Sequence, residues 1–192
     1  DVYKRQALVR VAERLFVVAD DELHLGLFDL GDPAPGHLVR LFEGSLPAEK
    51  KARKAAKPDL EALALLPAMA DFAQGALLAL GSGSTPDRQR GVLLGLTEQA
   101  VPRLIDLAPL YRPLHAQFAD LNIEGGFLLG DEFLLLQRGN QGQASNAAVR
   151  YAWPALRDWL LGTGEAPAPR AIQRLELGEL QGVALGFTYG AA

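Results

Sequence analysis

One stretch returns along this chain in altered form. Asp59-Leu60-Glu61-Ala62-Leu63 reappears as Asn122-Ile123-Glu124-Gly125-Gly126 and again as Leu180-Gln181-Gly182-Val183, each copy opening an apolar run. After the first two copies a second pattern follows: Leu80-Gly81-Ser82-Gly83-Ser84 and Leu136-Gln137-Arg138-Gly139-Asn140 both end a strand-like segment in a small polar turn. A repeat constrains the fold more than any bulk property, because each copy is one supersecondary unit that must pack on its neighbours. Glu61 and Glu124 stand 63 residues apart, and Glu124 and Gln181 57 apart. That is long for a solenoid and suits one four-stranded unit per copy, slightly above the blade period of roughly 40 to 50 residues.

The residues between the copies support four strands in each. Apolar, β-rich runs at 60–66, 76–80, 91–96 and 103–107 make one unit of about 59–107; runs at 123–129, 132–137, 147–152 and 172–177 make a second of about 122–178. Before them, 15–19, 23–28 and 37–42 read as three strands of a unit whose beginning is missing, the first two joined by a hairpin at Asp20-Asp21-Glu22. Leu107, Leu110, Tyr111, Leu114 and Phe118 fit one face of a short helix, and 153–161 and 48–56 suit two more. The fold class expected is therefore all-β: a partial β-propeller of four-stranded antiparallel blades, with short helices in the connections. Remnants at about 7–45 and 180–192 flank the full units in a single incomplete domain over 7–192. Such an array should expose an apolar sheet face where further blades would pack. Residues 1–6, Asp1-Val2-Tyr3-Lys4-Arg5-Gln6, resemble a translated sequencing adaptor and are set aside from the fold.

Composition removes several classes of function. With 49% hydrophobic and 22% charged residues, the 192-residue chain is of ordinary globular type. The net charge of −4 argues against a nucleic-acid partner, which needs clustered Lys and Arg on a broad surface. Lys50, Lys51, Arg53, Lys54 and Lys57 form the one basic run and read as a solvated connection. Without Cys, thiolate chemistry and Cys-ligated zinc are excluded. No run approaches the roughly 18 apolar residues of a membrane span. The compartment, cytoplasmic or periplasmic, is undecided.

The residues able to carry chemistry sit on the repeat. Glu61, Glu124 and Gln181 hold corresponding places near the start of the strand expected to be innermost, so in a propeller they border the central channel, joined by Asp59 and Asn122 two residues earlier. A ring of such oxygens has the chemistry of a Ca²⁺ site, with Glu61 and Glu124 as metal ligands. Equally, each Glu can cap its strand and pair with a neighbouring blade. Arg138 and Asn140 take the places of Ser82 and Ser84, where Arg138 can pair with Glu124 or hold a phosphate or carboxylate. The loop from Gly81 to Thr85 with Arg88 and Arg90 offers amides, hydroxyls and guanidiniums to an anion, though it is not a P-loop, and its glycines also suit a plain hairpin turn. The three His lack metal-ligand spacing, and no serine-hydrolase elbow occurs.

With these residues on the page, the chain resembles the phytase-like (esterase-like) β-propeller group, in an uncharacterised bacterial branch. The likeness rests on Lys57-Pro58-Asp59-Leu60-Glu61-Ala62-Leu63, Leu80-Gly81-Ser82-Gly83-Ser84, Asn122-Ile123-Glu124-Gly125 and Leu135-Leu136-Gln137-Arg138-Gly139-Asn140, and covers most of 12–190. The last motif resembles the Glu-Arg-Asp-Asn signature of that group with Gln137 and Gly139 in place of its acidic residues. The resemblance implies two open readings: a propeller that binds a small molecule or protein on its channel face, or a calcium-dependent phosphohydrolase or esterase.

Overall fold

The computed structural model describes residues 6–97, 99–139, 145–188 and 190. Three four-stranded antiparallel sheets follow one another along the chain, each a meander with its strands in sequence order. The first comprises β1 (Gln6–Val11), β2 (Arg14–Ala19), β3 (His24–Asp29) and β4 (His37–Arg40). The second comprises β5 (Leu60–Leu66), β6 (Ala76–Gly81), β7 (Arg90–Gly95) and β8 (Arg103–Asp106). The third comprises β9 (Ile123–Leu129), β10 (Glu132–Gln137), β11 (Asn146–Ala152) and β12 (Ala171–Leu175). Helices α1 (Lys50–Ala56), α2 (Ala108–His115) and α3 (Trp153–Leu160) lie in the connections. No helix of the described residues is long and apolar enough to cross a membrane.

The first sheet is not a remnant. Gln6–Val11 pairs with β2 from Gln6↔Ala19 to Val11↔Arg14, so the sheet has all four strands, and Gln6, set aside on sequence grounds, belongs to it. The sequence signal was present in the alternation of Ala7, Val9 and Val11 with Leu8 and Arg10. The other end differs as well. Leu180-Gln181-Gly182-Val183 opens no long inner strand; β13 (Glu179–Leu180) and β14 (Val183–Ala184) close a two-residue hairpin on Gln181 and Gly182, both at positive φ (52° and 77°). Such a pair of left-handed residues is what a tight, right-twisted hairpin demands.

The sheets stack through their first strands: β1 packs against β5, and β5 against β9. This puts the second sheet between two cores. One, toward the first sheet, gathers Phe16, Val18 and Leu25 with Leu63, Leu77 and Val92; the other, toward the third sheet and α2, gathers Ala64, Leu78 and Leu93 with Tyr111, Phe133 and Val149. Burial on both faces explains why β6 reads Ala-Leu-Leu-Ala-Leu-Gly with every residue buried, whereas β2 and β3 interleave buried with part-buried or exposed residues. The face of the first sheet turned away from the second carries a cross-strand row, Leu8↔Val17↔Gly26↔Leu38, in which Leu8 is 45% and Leu38 73% exposed.

Candidate functional site

The first strands of the second and third sheets share an irregularity. Opposite β6, Leu60 faces Gly81 and Ala62 faces Leu80, which leaves Glu61 as an extra residue. Opposite β10, Ile123 faces Gln137 and Gly125 faces Leu136, which leaves Glu124. A β-bulge of this kind resets the alternation of the strand and re-aims the inserted side chain. The reset is visible in the packing: Leu60 and Leu63 enter one core while Ala62 and Ala64 enter the other. The turns that follow also correspond, for the Ser82 N–H donates to the Asp59 carbonyl at 3.0 Å and the Arg138 N–H to the Asn122 carbonyl at 2.9 Å. A hydrogen bond from the Ile123 N–H to the Ser82 carbonyl (2.8 Å) joins the second and third sheets at this point.

Around the bulges lies a network of ions. Asp59 sits at φ 57°, a left-handed conformation that Asp tolerates better than most residues. Its Oδ1 meets Lys57 Nζ at 2.5 Å, and its Oδ2 accepts from Ser82 Oγ at 2.6 Å and lies 3.1 Å from Arg88 Nη1. Lys57 also binds Asp20 Oδ2 at 2.5 Å, so its ammonium bridges the β2–β3 turn and the head of β5. Arg88 Nη1 donates to Ser84 Oγ (2.9 Å) and Nη2 to the Lys54 carbonyl (3.0 Å). On the third sheet the buried Glu124 accepts from Asn122 Nδ2 at 2.8 Å and from Arg138 Nη1 at 3.2 Å. Asp20, Asp59 and Glu61 bring one carboxylate oxygen each within 4.8 Å of one another.

Glu61 is the exception in this network, making no hydrogen bond to any described residue. Burial, then the carboxylates of Glu124, Asp59 and Asp20, push its pKa up to about 8 against the smaller pull of Lys57. At neutral pH it therefore holds a proton. The charges then balance: Asp20, Asp59 and Glu124 face Lys57, Arg88 and Arg138. For Lys57, burial opposes the charge, but the hydrogen bonds to Asp20 and Asp59 outweigh it, and its pKa is raised.

Of the residues singled out on sequence grounds, the structure brings together Asp59, Ser82, Ser84 and Arg88 in one network and Asn122, Glu124 and Arg138 in another, with Glu61 beside both. Arg90 is elsewhere: its Nε donates to the Asp87 carbonyl and its guanidinium lies 5.4 Å from the Phe42 ring centroid. Gln181 stands exposed in the β13–β14 turn and joins none of these contacts. Asn140 lies outside the described residues. Two members were missed. Lys57 belongs by sequence to a run expected to be solvated, yet its side chain is 12% exposed, and Asp20, by sequence a turn former, is its partner. The signal for Lys57 was its place beside Pro58-Asp59, past the end of the basic helix. Arg53 of the same run is also engaged, bonding the Asp21 carboxylate at 3.0 Å and its carbonyl at 2.7 Å.

No curated protein and no solved structure matches this chain significantly. One sequence family does, the family of unknown function DUF6929, whose profile spans residues 6–192, starting at the first residue of β1. This chain belongs to the DUF6929 family.

Proposed function

We propose that the sheets are blades of a β-propeller and that the ionic network at the heads of their first strands borders its channel, where it binds a small, uncharged or cationic polar ligand through Glu61. The observation that carries this reading is Glu61 itself. A bulge re-aims its carboxyl beside those of Asp20, Asp59 and Glu124, where it makes no hydrogen bond to any described residue. Glu61 is part-buried, and a polar group that has lost much of its water without gaining a hydrogen bond is stabilised when a ligand's acceptor or cation engages it. Anions fit poorly, because Lys57, Arg88 and Arg138 are already bound to carboxylates. That weighs against a phosphohydrolase and in favour of binding without turnover.

Thermal denaturation at pH 7 with a panel of neutral polyols and small amines, on the wild type and on Glu61→Leu, tests it. A ligand that raises the Tm of the wild type and not of the variant is the expected result; a panel that stabilises both equally, or neither, removes the reading.

Calcium is a second reading, favoured by the proximity of the Asp20, Asp59 and Glu61 oxygens. Calcium needs roughly six to eight oxygen ligands, and here Lys57 already occupies two of the three carboxylates. Binding must therefore displace the ammonium and ionise Glu61. Calorimetry at pH 7 in buffers of different ionisation enthalpy should then detect a proton released per calcium bound; calcium that binds without proton release does not use Glu61.

A further inference from the structure

We propose that a groove between the first and second sheets, at the end of the strands remote from the ionic network, binds a small organic amine with an apolar body. The network lies at the start of β5, beside the end of β6 and the start of β7; the groove lies at the start of β2 and the end of β7, reaching Arg14 and Gly95. This site is therefore independent of the Glu61 reading.

Its central cavity has a volume of about 400 Å³, within the range of roughly 300 to 1,000 Å³ typical of small-molecule sites. Phe16, Leu27, Val39, Leu94 and Leu96 supply an apolar floor. Two further cavities adjoin it and share Leu96, which extends the space into a groove. Both walls belong to elements of the packed core, since Phe16 and Leu94 are 6% and 5% exposed. Most of the apolar floor is thus preformed on strands, while Asp32, Leu96, Thr97 and Ala100 come from the loops that follow β3 and β7.

The rim selects the ligand's charge. Around the central cavity Asp29 and Asp32 are the two acidic residues, facing one guanidinium, Arg14, and one imidazole, His37. Each of these carboxylates is held by its own turn, Asp29 Oδ1 accepting from the Gly31 N–H and Asp32 Oδ1 from the Ala34 N–H, both at 2.9 Å. That fixes their direction and leaves the second oxygen of each unengaged by any described residue. Fixed carboxylates above an apolar floor complement an ammonium attached to a hydrocarbon or aromatic body, and disfavour a carboxylate of the same shape.

Three probes of matched shape test this: phenethylamine, phenethyl alcohol and phenylacetate, titrated into the full chain and followed by amide NMR. The amine should bind at least about tenfold more tightly than the alcohol, equivalent to about 1.4 kcal/mol, shifting the resonances of Leu94, Gly95 and Leu96, while phenylacetate binds weakest. Asp29→Asn combined with Asp32→Asn, both at exposed positions, should abolish the preference for the amine without removing alcohol binding. Ala100→Phe, which fills the cavity, should remove all three. The proposal is overturned if the probes bind equally, if the amine preference survives the double substitution, if the shifts map elsewhere, or if the amine shows no saturable binding at millimolar concentration.

Discussion

At the scale of single residues, one proton decides the electrostatics of the candidate site. The pKa of Glu61 rises from 4.5 to about 8 on folding, so between those values the folded chain holds a proton that the unfolded chain has lost. Stability from this group is fully present below the unfolded value, declines as the pH rises through the window, and is flat above the folded value. Glu61→Gln keeps the shape and abolishes the titration. The variant should match the wild type at pH 4, below the unfolded value, and exceed it by about 1–2 kcal/mol at pH 9, less than the full linkage value because the carboxyl keeps some contact with water. Urea unfolding at the two pH values measures the difference, and an unchanged gap would mean that the pKa of Glu61 does not rise on folding.

At the scale of elements, the bulges and the loop after β6 set the geometry. Gly83 sits at φ 75°, and a Cβ there would meet the Tyr111 ring at 2.7 Å. That ring belongs to α2 and its hydroxyl donates to the Gly81 carbonyl at 2.9 Å, so the helix is pinned to the turn that carries Ser82 and Ser84. Gly83→Ala therefore combines a strained backbone with a clash at a fully buried aromatic, and should cost about 1–3 kcal/mol. If denaturant unfolding shows no loss, α2 is not held against this turn.

At the scale of the whole molecule, stability resides in the faces between sheets. Leu63 is 1% exposed, in the core that joins the first and second sheets, while Leu38 is 73% exposed on the outer face of the first. Leu63→Ala should cost about 2–5 kcal/mol, the range for buried Leu truncation. Leu38→Asn should change stability by less than about 0.5 kcal/mol while lowering self-association, because the row Leu8↔Val17↔Gly26↔Leu38 is an apolar surface in contact with water. Chemical denaturation and light scattering separate the two effects; a Leu38 variant as unstable as Leu63→Ala would place that face inside a core.

The strands and helices were largely legible in the sequence because they follow from local chemistry: period-2 apolar runs, Gly and Asp turns, and the spacing of Leu110, Tyr111 and Leu114. So was the correspondence of Glu61 with Glu124, since a repeat displays it directly. The pairing of Asp20 with Lys57 across 37 residues was not, nor was the groove floored by Phe16 and Leu94, because these depend on which strand heads and tails meet when β1 packs on β5. Gln181 failed for a similar reason: its motif resembles the others, but Gly182 after it favours a hairpin, and the turn prevailed over the repeat. The sequence by itself determined the elements and their order, since each is specified within a few residues. Only the tertiary structure decided which charges neutralise one another and where Glu61 keeps its proton, because those free energies depend on burial and on distances between segments remote in the chain.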